Sequence, residues 1–160
     1  MKRRYSIIAT TIFFFVVAVY LLFPTDENRI RKTIRKSEQA FTSEDVERIM
    51  ELVSYNYSDA FGNNYLRLKK ALQTVFKRLD DIDIKKTIRG ITIEGKRAET
   101  ELDVRVIASP SSRAGRSEYD RGYILGDAGE AVRIKVFFEK PSYTWLITGV
   151  EGIDEKQRIF

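Results

Sequence analysis

The chain has 160 residues, with 28 Lys and Arg against 23 Asp and Glu, no His and no Cys. The missing imidazole and thiol exclude histidine acid–base chemistry, thiol nucleophiles, disulfides and ordinary zinc sites. Lys2, Arg3 and Arg4 supply three of the five net positive charges, so residues 26–160 carry only +2, too little for the basic footprint of a nucleic-acid binder.

Tyr5–Phe23, YSIIATTIFFFVVAVYLLF, contains no charge, no glycine and no proline over 19 residues. As a helix it measures about 28 Å, close to the hydrocarbon thickness of a bilayer. The pattern predicts a transmembrane anchor, with residues 1–4 as a cytoplasmic tail and 24–160 as a single domain. Cleavage as a secretory leader is the competing reading, and Val16-Val17-Ala18 is its best small-residue site. It would leave a mature chain beginning Val-Tyr-Leu-Leu-Phe, so the uncleaved anchor is preferred. Lys2, Arg3 and Arg4 favour the cytoplasmic side, and Asp26-Glu27 open the other flank. The expected protein crosses the cytoplasmic membrane once and holds its domain outside, in the periplasm of a Gram-negative cell.

Pro24-Thr25-Asp26-Glu27 reads as a helix start, followed by Ile30, Ile34, Ser37 and Phe41 at helical spacing. Thr42 and Asp45 are spaced as a capping box for a second, short helix with Val46, Ile49, Met50 and Val53 on its apolar stripe. A third helix carries Tyr65, Leu68, Leu72, Val75, Phe76 and Leu79 on one face, capped by Asn63 or Asn64. At Asp80-Asp81 the period changes to two. Ile82, Ile84 and Ile88 alternate with charges, Gly90 permits a bulge, and Glu94-Gly95-Lys96 makes a tight turn. The next strand points Ala98, Thr100, Leu102, Val104, Val106 and Ala108 inward, and Glu99, Glu101, Asp103 and Arg105 outward. Ser109–Ser117 reads as a polar loop, and Arg113 and Arg116 in it offer an anion two cations. Glu118–Leu125 reads as a strand, Val132–Phe138 as another, and Lys140-Pro141-Ser142 as a last hairpin into Tyr143–Val150. Arg133 and Lys135 face outward opposite Glu99, Glu101 and Asp103, which sets a register for the sheet.

Three helices and then antiparallel strands predict an α+β domain, its helices packed on a curved sheet of four or so strands. Three segments carry a family resemblance: the helix ending in Val53-Ser54-Tyr55-Asn56-Tyr57-Ser58-Asp59, the helix from Tyr65, and the strands around Glu94-Gly95-Lys96 and Thr144–Glu151. In that order they resemble the nuclear transport factor 2-like superfamily, the cystatin-like α+β cone also seen in ketosteroid isomerases. The resemblance implies a binding or dimerisation module more often than an enzyme. Its isomerase-like members imply an apolar cavity with an Asp base and Tyr donors.

Tyr55, Tyr57, Asp59 and Tyr65 form the only aromatic and acidic cluster near the expected cone mouth, and they are the candidate ligand-binding residues. No catalytic residue, metal ligand or cofactor is assigned. The stretch Asn56–Asn64 is rich in side-chain oxygens but lacks the spacing and terminal Glu of a calcium loop, and Asp59 and Asn63 better suit a turn tied to backbone amides. Trp145 is expected in the core. The leading functional expectation is a non-catalytic module outside the membrane that binds a protein partner, a second copy through a sheet face bearing Ile107 and Phe137, or a small apolar ligand. The alternative is a Tyr/Asp-based isomerase or lyase acting on a small apolar substrate.

Overall fold

The computed structural model describes residues 25–111, 123–125 and 131–152. The expected anchor Tyr5–Phe23, the loop residues Arg113 and Arg116, and residues 118–122 of the expected third strand lie outside the described residues. Among the described residues no helix is long and apolar enough to cross a membrane.

Helix α1 spans Asp26–Thr42. The Thr25 hydroxyl accepts from the Asn28 amide at 3.3 Å, and Asp26 and Glu27 occupy the first turn, where the helix dipole favours negative charge. Ile30 and Ile34 are buried on its inner face. Thr42 does not cap the next helix: it closes α1, donating its hydroxyl to the Glu38 and Gln39 carbonyls. Asp45 is the cap instead, its carboxylate accepting from the Arg48 amide at 3.0 Å above the five-residue α2, Val46–Met50. Val53 is buried but lies beyond that helix, in a parallel bridge to Ile147. Helix α3 is Tyr65–Val75, capped by Asn64. It stops short of Leu79, which opens the sheet.

The strands are β1 Leu79–Glu94, β2 Arg97–Pro110, β3 Tyr123–Leu125, β4 Val132–Glu139 and β5 Leu146–Glu151. All pairings are antiparallel in the order β1-β2-β4-β5, and the short β3 also pairs with β2. Gly95 and Lys96 form the two-residue turn between β1 and β2, and Gly95 takes the positive φ of 60° that such a turn asks of its first residue. The bulge falls at Arg89, where the register steps from Ile88↔Leu102 to Gly90↔Glu101. The β2 inner series is as the alternation predicts, with all but Val106 fully buried.

The outer face is laced by charge in register. Glu101 pairs opposite Lys135, and Asp103 opposite Arg133. The Lys135 ammonium lies 2.6 Å from Glu99, the Arg133 guanidinium 3.3 Å from Asp103, and Arg89 joins Asp103 from β1. Ile107 and Phe137, expected to be exposed on this face, are half-buried.

The expected tight hairpin at Lys140-Pro141-Ser142 is instead a six-residue connection between Glu139 and Leu146. Long-range bonds draw it down onto α1 and the β1–β2 turn. The Arg29 guanidinium donates to the Tyr143 carbonyl at 3.1 Å, the Thr33 hydroxyl to the Trp145 carbonyl at 3.3 Å, and the Lys140 amide to the Lys96 carbonyl at 2.9 Å. Trp145 is thereby turned into the core.

Two apolar clusters result. One joins α2 and α3 to the Leu79 end of β1 through Met50, Leu72, Val75 and Phe76. The other packs Ile30 and Ile34 of α1 on Leu102, Val136, Phe138 and Trp145. Thr100, wholly enclosed on the inner face of β2, has a hydroxyl without a partner among the described residues. An unmade buried hydrogen bond costs about 1–3 kcal/mol, so Thr100→Val is expected to leave stability unchanged or raise it by about 1 kcal/mol in urea unfolding. A loss above that size would show that the hydroxyl is bonded in solution.

Candidate functional site

The two clusters do not close against each other completely. Between the inner sheet face and the three helices lies a cavity of about 250 Å³. Its wall is mostly aliphatic, with Ile34 and Phe41 from α1, Leu72 from α3, and Leu102 and Val136 from the sheet. Five polar side chains interrupt it: Ser37, Glu38 and Lys86 on α1 and β1, and Tyr57 and Asp59 on the connection between α2 and α3.

That connection is held by the sheet. The Ile147 amide donates to the Leu52 carbonyl at 2.8 Å, the Ser54 amide to the Ile147 carbonyl at 2.8 Å, and the Ser58 amide to the Thr148 carbonyl at 2.9 Å. Residues 52–58 therefore run along the outer edge of β5 and cover it, which removes an open strand edge. Gly149 makes the close approach possible, because a Cβ there would stand 2.7 Å from the Ser58 carbonyl oxygen. Beyond Ser58 the chain winds around the Asp59 carboxylate. One oxygen accepts from the Phe61 and Asn63 amides, both at 2.9 Å, and the other from the Asn63 side-chain amide at 2.9 Å and the Tyr57 hydroxyl at 3.2 Å. Gly62, at φ 75°, closes the turn.

The structure divides the four candidate residues into two pairs. Tyr57 is buried and Asp59 half-buried, and both line the cavity. Burial first, and then the Asp59 carboxylate, hold the Tyr57 phenol above its ordinary pKa, so it stays protonated as a donor. Tyr55 is 84% exposed and stacks on Tyr65 with ring centroids 4.6 Å apart, outside the cavity wall. A turn at Tyr55-Asn56, closed by the Tyr57 amide donating to the Ser54 carbonyl at 3.0 Å, separates two rings that stand only two residues apart.

Sequence reasoning missed Lys86 and Glu38. Lys86 occupies the inward phase of β1, in line with Ile82, Ile84 and Ile88, and pairs there with Glu38 one turn beyond Ile34 on α1. Burial chiefly, helped by the Arg35 guanidinium, lowers the Lys86 ammonium below its ordinary pKa. The signal was available: a lysine in the apolar phase of an alternating strand is an anomaly that calls for a partner.

No family model matches the chain, and no curated protein sequence does. Solved structures do. A provisionally assigned scytalone dehydratase from Novosphingobium aromaticivorans superposes with a TM-score of 0.65 at 14% identity, over 79% of this chain and 81% of its own. A conserved protein from Planctomyces limnophilus gives 0.62 at 18% identity, over 78% of this chain and 92% of its own. A ketosteroid isomerase-like protein from Erwinia carotovora atroseptica gives 0.61 at 11%, over 80% and 95%. The chain has the nuclear transport factor 2-like fold. At these identities the likeness carries the fold alone, and the chemistry must be argued from the lining.

Proposed function

We propose that the protein is a membrane-tethered, non-catalytic module that receives a small apolar ligand inside its cone. The observation that carries the reading is the 250 Å³ hollow with a mostly apolar wall. A dry apolar cavity of about 150 Å³ accepts benzene, so this one suits a fused-ring compound or a medium-length acyl chain. The tether rests on the composition of Tyr5–Phe23, and Lys2, Arg3 and Arg4 before it favour a cone outside the cytoplasmic membrane, beside the bilayer.

The isomerase or lyase alternative draws on Tyr57 and Asp59 in the cavity wall and on the described activities of two structural neighbours. Against it stands the state of Asp59. A general base needs a lone pair directed at the substrate, and both of these oxygens already accept two hydrogen bonds. The binding reading needs no free base.

The test uses the full chain in phosphatidylcholine nanodiscs, titrated with the neutral fluorophore 1-aminoanthracene against empty discs. Saturable one-to-one enhancement is expected, and Val136→Phe, which fills the hollow from β4, is expected to weaken it at least tenfold while unfolding remains cooperative. Enhancement no greater than that of empty discs would overturn the reading. Recovery of the intact chain in the soluble fraction of cells would remove the tether.

A further inference from the structure

The polar groups of the cavity are not equivalent. The Ser37 hydroxyl is committed to the Ile34 carbonyl at 2.8 Å, the Tyr57 hydroxyl to Asp59, and the Asp59 oxygens to four donors. Lys86 differs. Its ammonium has three N–H donors, and Glu38 is the one partner recorded for it among the described residues. Lys86 and Glu38 balance each other in charge, and the exposed Arg35 outside the cavity wall adds a positive field at the ammonium. The Lys86 side chain is only 17% exposed, so a group that meets it does so largely out of water, where a charged partner is held more strongly than at a surface.

We infer that the cavity ligand is an anionic amphiphile, an apolar chain or ring system whose carboxylate seats on the uncommitted Lys86 donors while its body fills the aliphatic hollow. The inference rests on the cavity reading above and adds to it the class of ligand. A positively charged head would be repelled by the Lys86 ammonium, and an apolar one would leave its remaining donors unmade. A purely architectural role also exists for an inward lysine on β1, which is an end strand of the sheet: such charges discourage edge-to-edge pairing between copies.

The experiment displaces 1-aminoanthracene from the full chain in phosphatidylcholine nanodiscs with decanoate, decanol or decyltrimethylammonium. Decanoate is expected to bind at least tenfold more tightly than decanol, and the ammonium more weakly than either. Lys86→Met is expected to abolish the preference, bringing decanoate and decanol to within about twofold of each other. Because that change strips Glu38 of its counter-charge, the double variant K86M/E38Q is measured beside it and is expected to behave alike. Glu38→Gln alone frees the ammonium and is expected to tighten decanoate several-fold. Equal affinity of decanoate and decanol, preference for the ammonium, or a K86M that alters only self-association would each overturn the inference while leaving the apolar cavity in place. Failure of 1-aminoanthracene itself to bind removes the cavity reading and this inference with it.

Discussion

Trp145→Ala is expected to lower the free energy of unfolding by about 3–5 kcal/mol, a large part of the roughly 5–15 kcal/mol available to a domain of this size. Trp145 is 1% exposed and sits among Ile30, Val136 and Phe138, so its removal leaves a void where α1 meets the sheet. It also donates its indole N–H to Asp26 at 3.2 Å, and Lys140 donates to the same carboxylate at 2.6 Å from above the indole ring. Urea unfolding followed by circular dichroism measures the loss, since the chain has no other tryptophan to report by fluorescence. Trp145→Phe, which keeps one aromatic ring and loses the pyrrole ring with its donor, should cost less, about 1–3 kcal/mol. A loss under 1 kcal/mol for alanine would mean that the core is not built around this ring.

The same arrangement has a pH signature. The bond from Lys140 outweighs the effect of burial and, with the Trp145 donor, holds the Asp26 carboxyl below its ordinary value of 3.8. A lowered folded-state pKa contributes stability above the unfolded value and loses it as pH falls through the folded one. Trp145→Phe shortens that shift, so its decline in stability from about pH 5 to pH 3 should be shallower than in the parent chain.

Gly149→Ala is the second large expectation, and its sign is diagnostic. Replacing glycine by alanine where the backbone tolerates it ordinarily stabilises by about 0.4–1 kcal/mol. Here φ presents no obstacle, but the new methyl would lie 2.7 Å from the backbone oxygen of Ser58. A backbone atom cannot swing aside as a side-chain tip can, so the expected result is destabilisation of about 1–3 kcal/mol. The damage should reach the cavity as well. The Ser58–Thr148 bond positions Tyr57 and Asp59, and 1-aminoanthracene should bind several-fold more weakly to the variant. An alanine chain that melts at or above the parent temperature would show that residues 52–58 do not dock on β5 as described.

The β1–β2 hairpin and its inward series were legible because two-residue periodicity and a glycine turn are local facts. The turn around Asp59 was legible for the same reason, since a side chain that accepts amides two and four residues ahead needs nothing distant. The connection from Lys140 to Trp145 was not. Its path is set by Arg29 and Thr33, more than a hundred residues earlier, and no local propensity encodes that pull. Tyr55 shows the converse limit: closeness along the chain grouped it with Tyr57, while the turn at Tyr55-Asn56 set it outward. Lys86 was visible in the pattern, but a period marked by its isoleucines conceals the one position in it that is not apolar.

The fastening of Asp26 to Lys140 and Trp145 has a mechanical consequence. It clamps the first residue of α1 to the far end of the sheet, so the chain has no slack between Thr25 and the folded body. Tension applied at Thr25 would load the junction of β4 and β5 directly, with no spacer to stretch first.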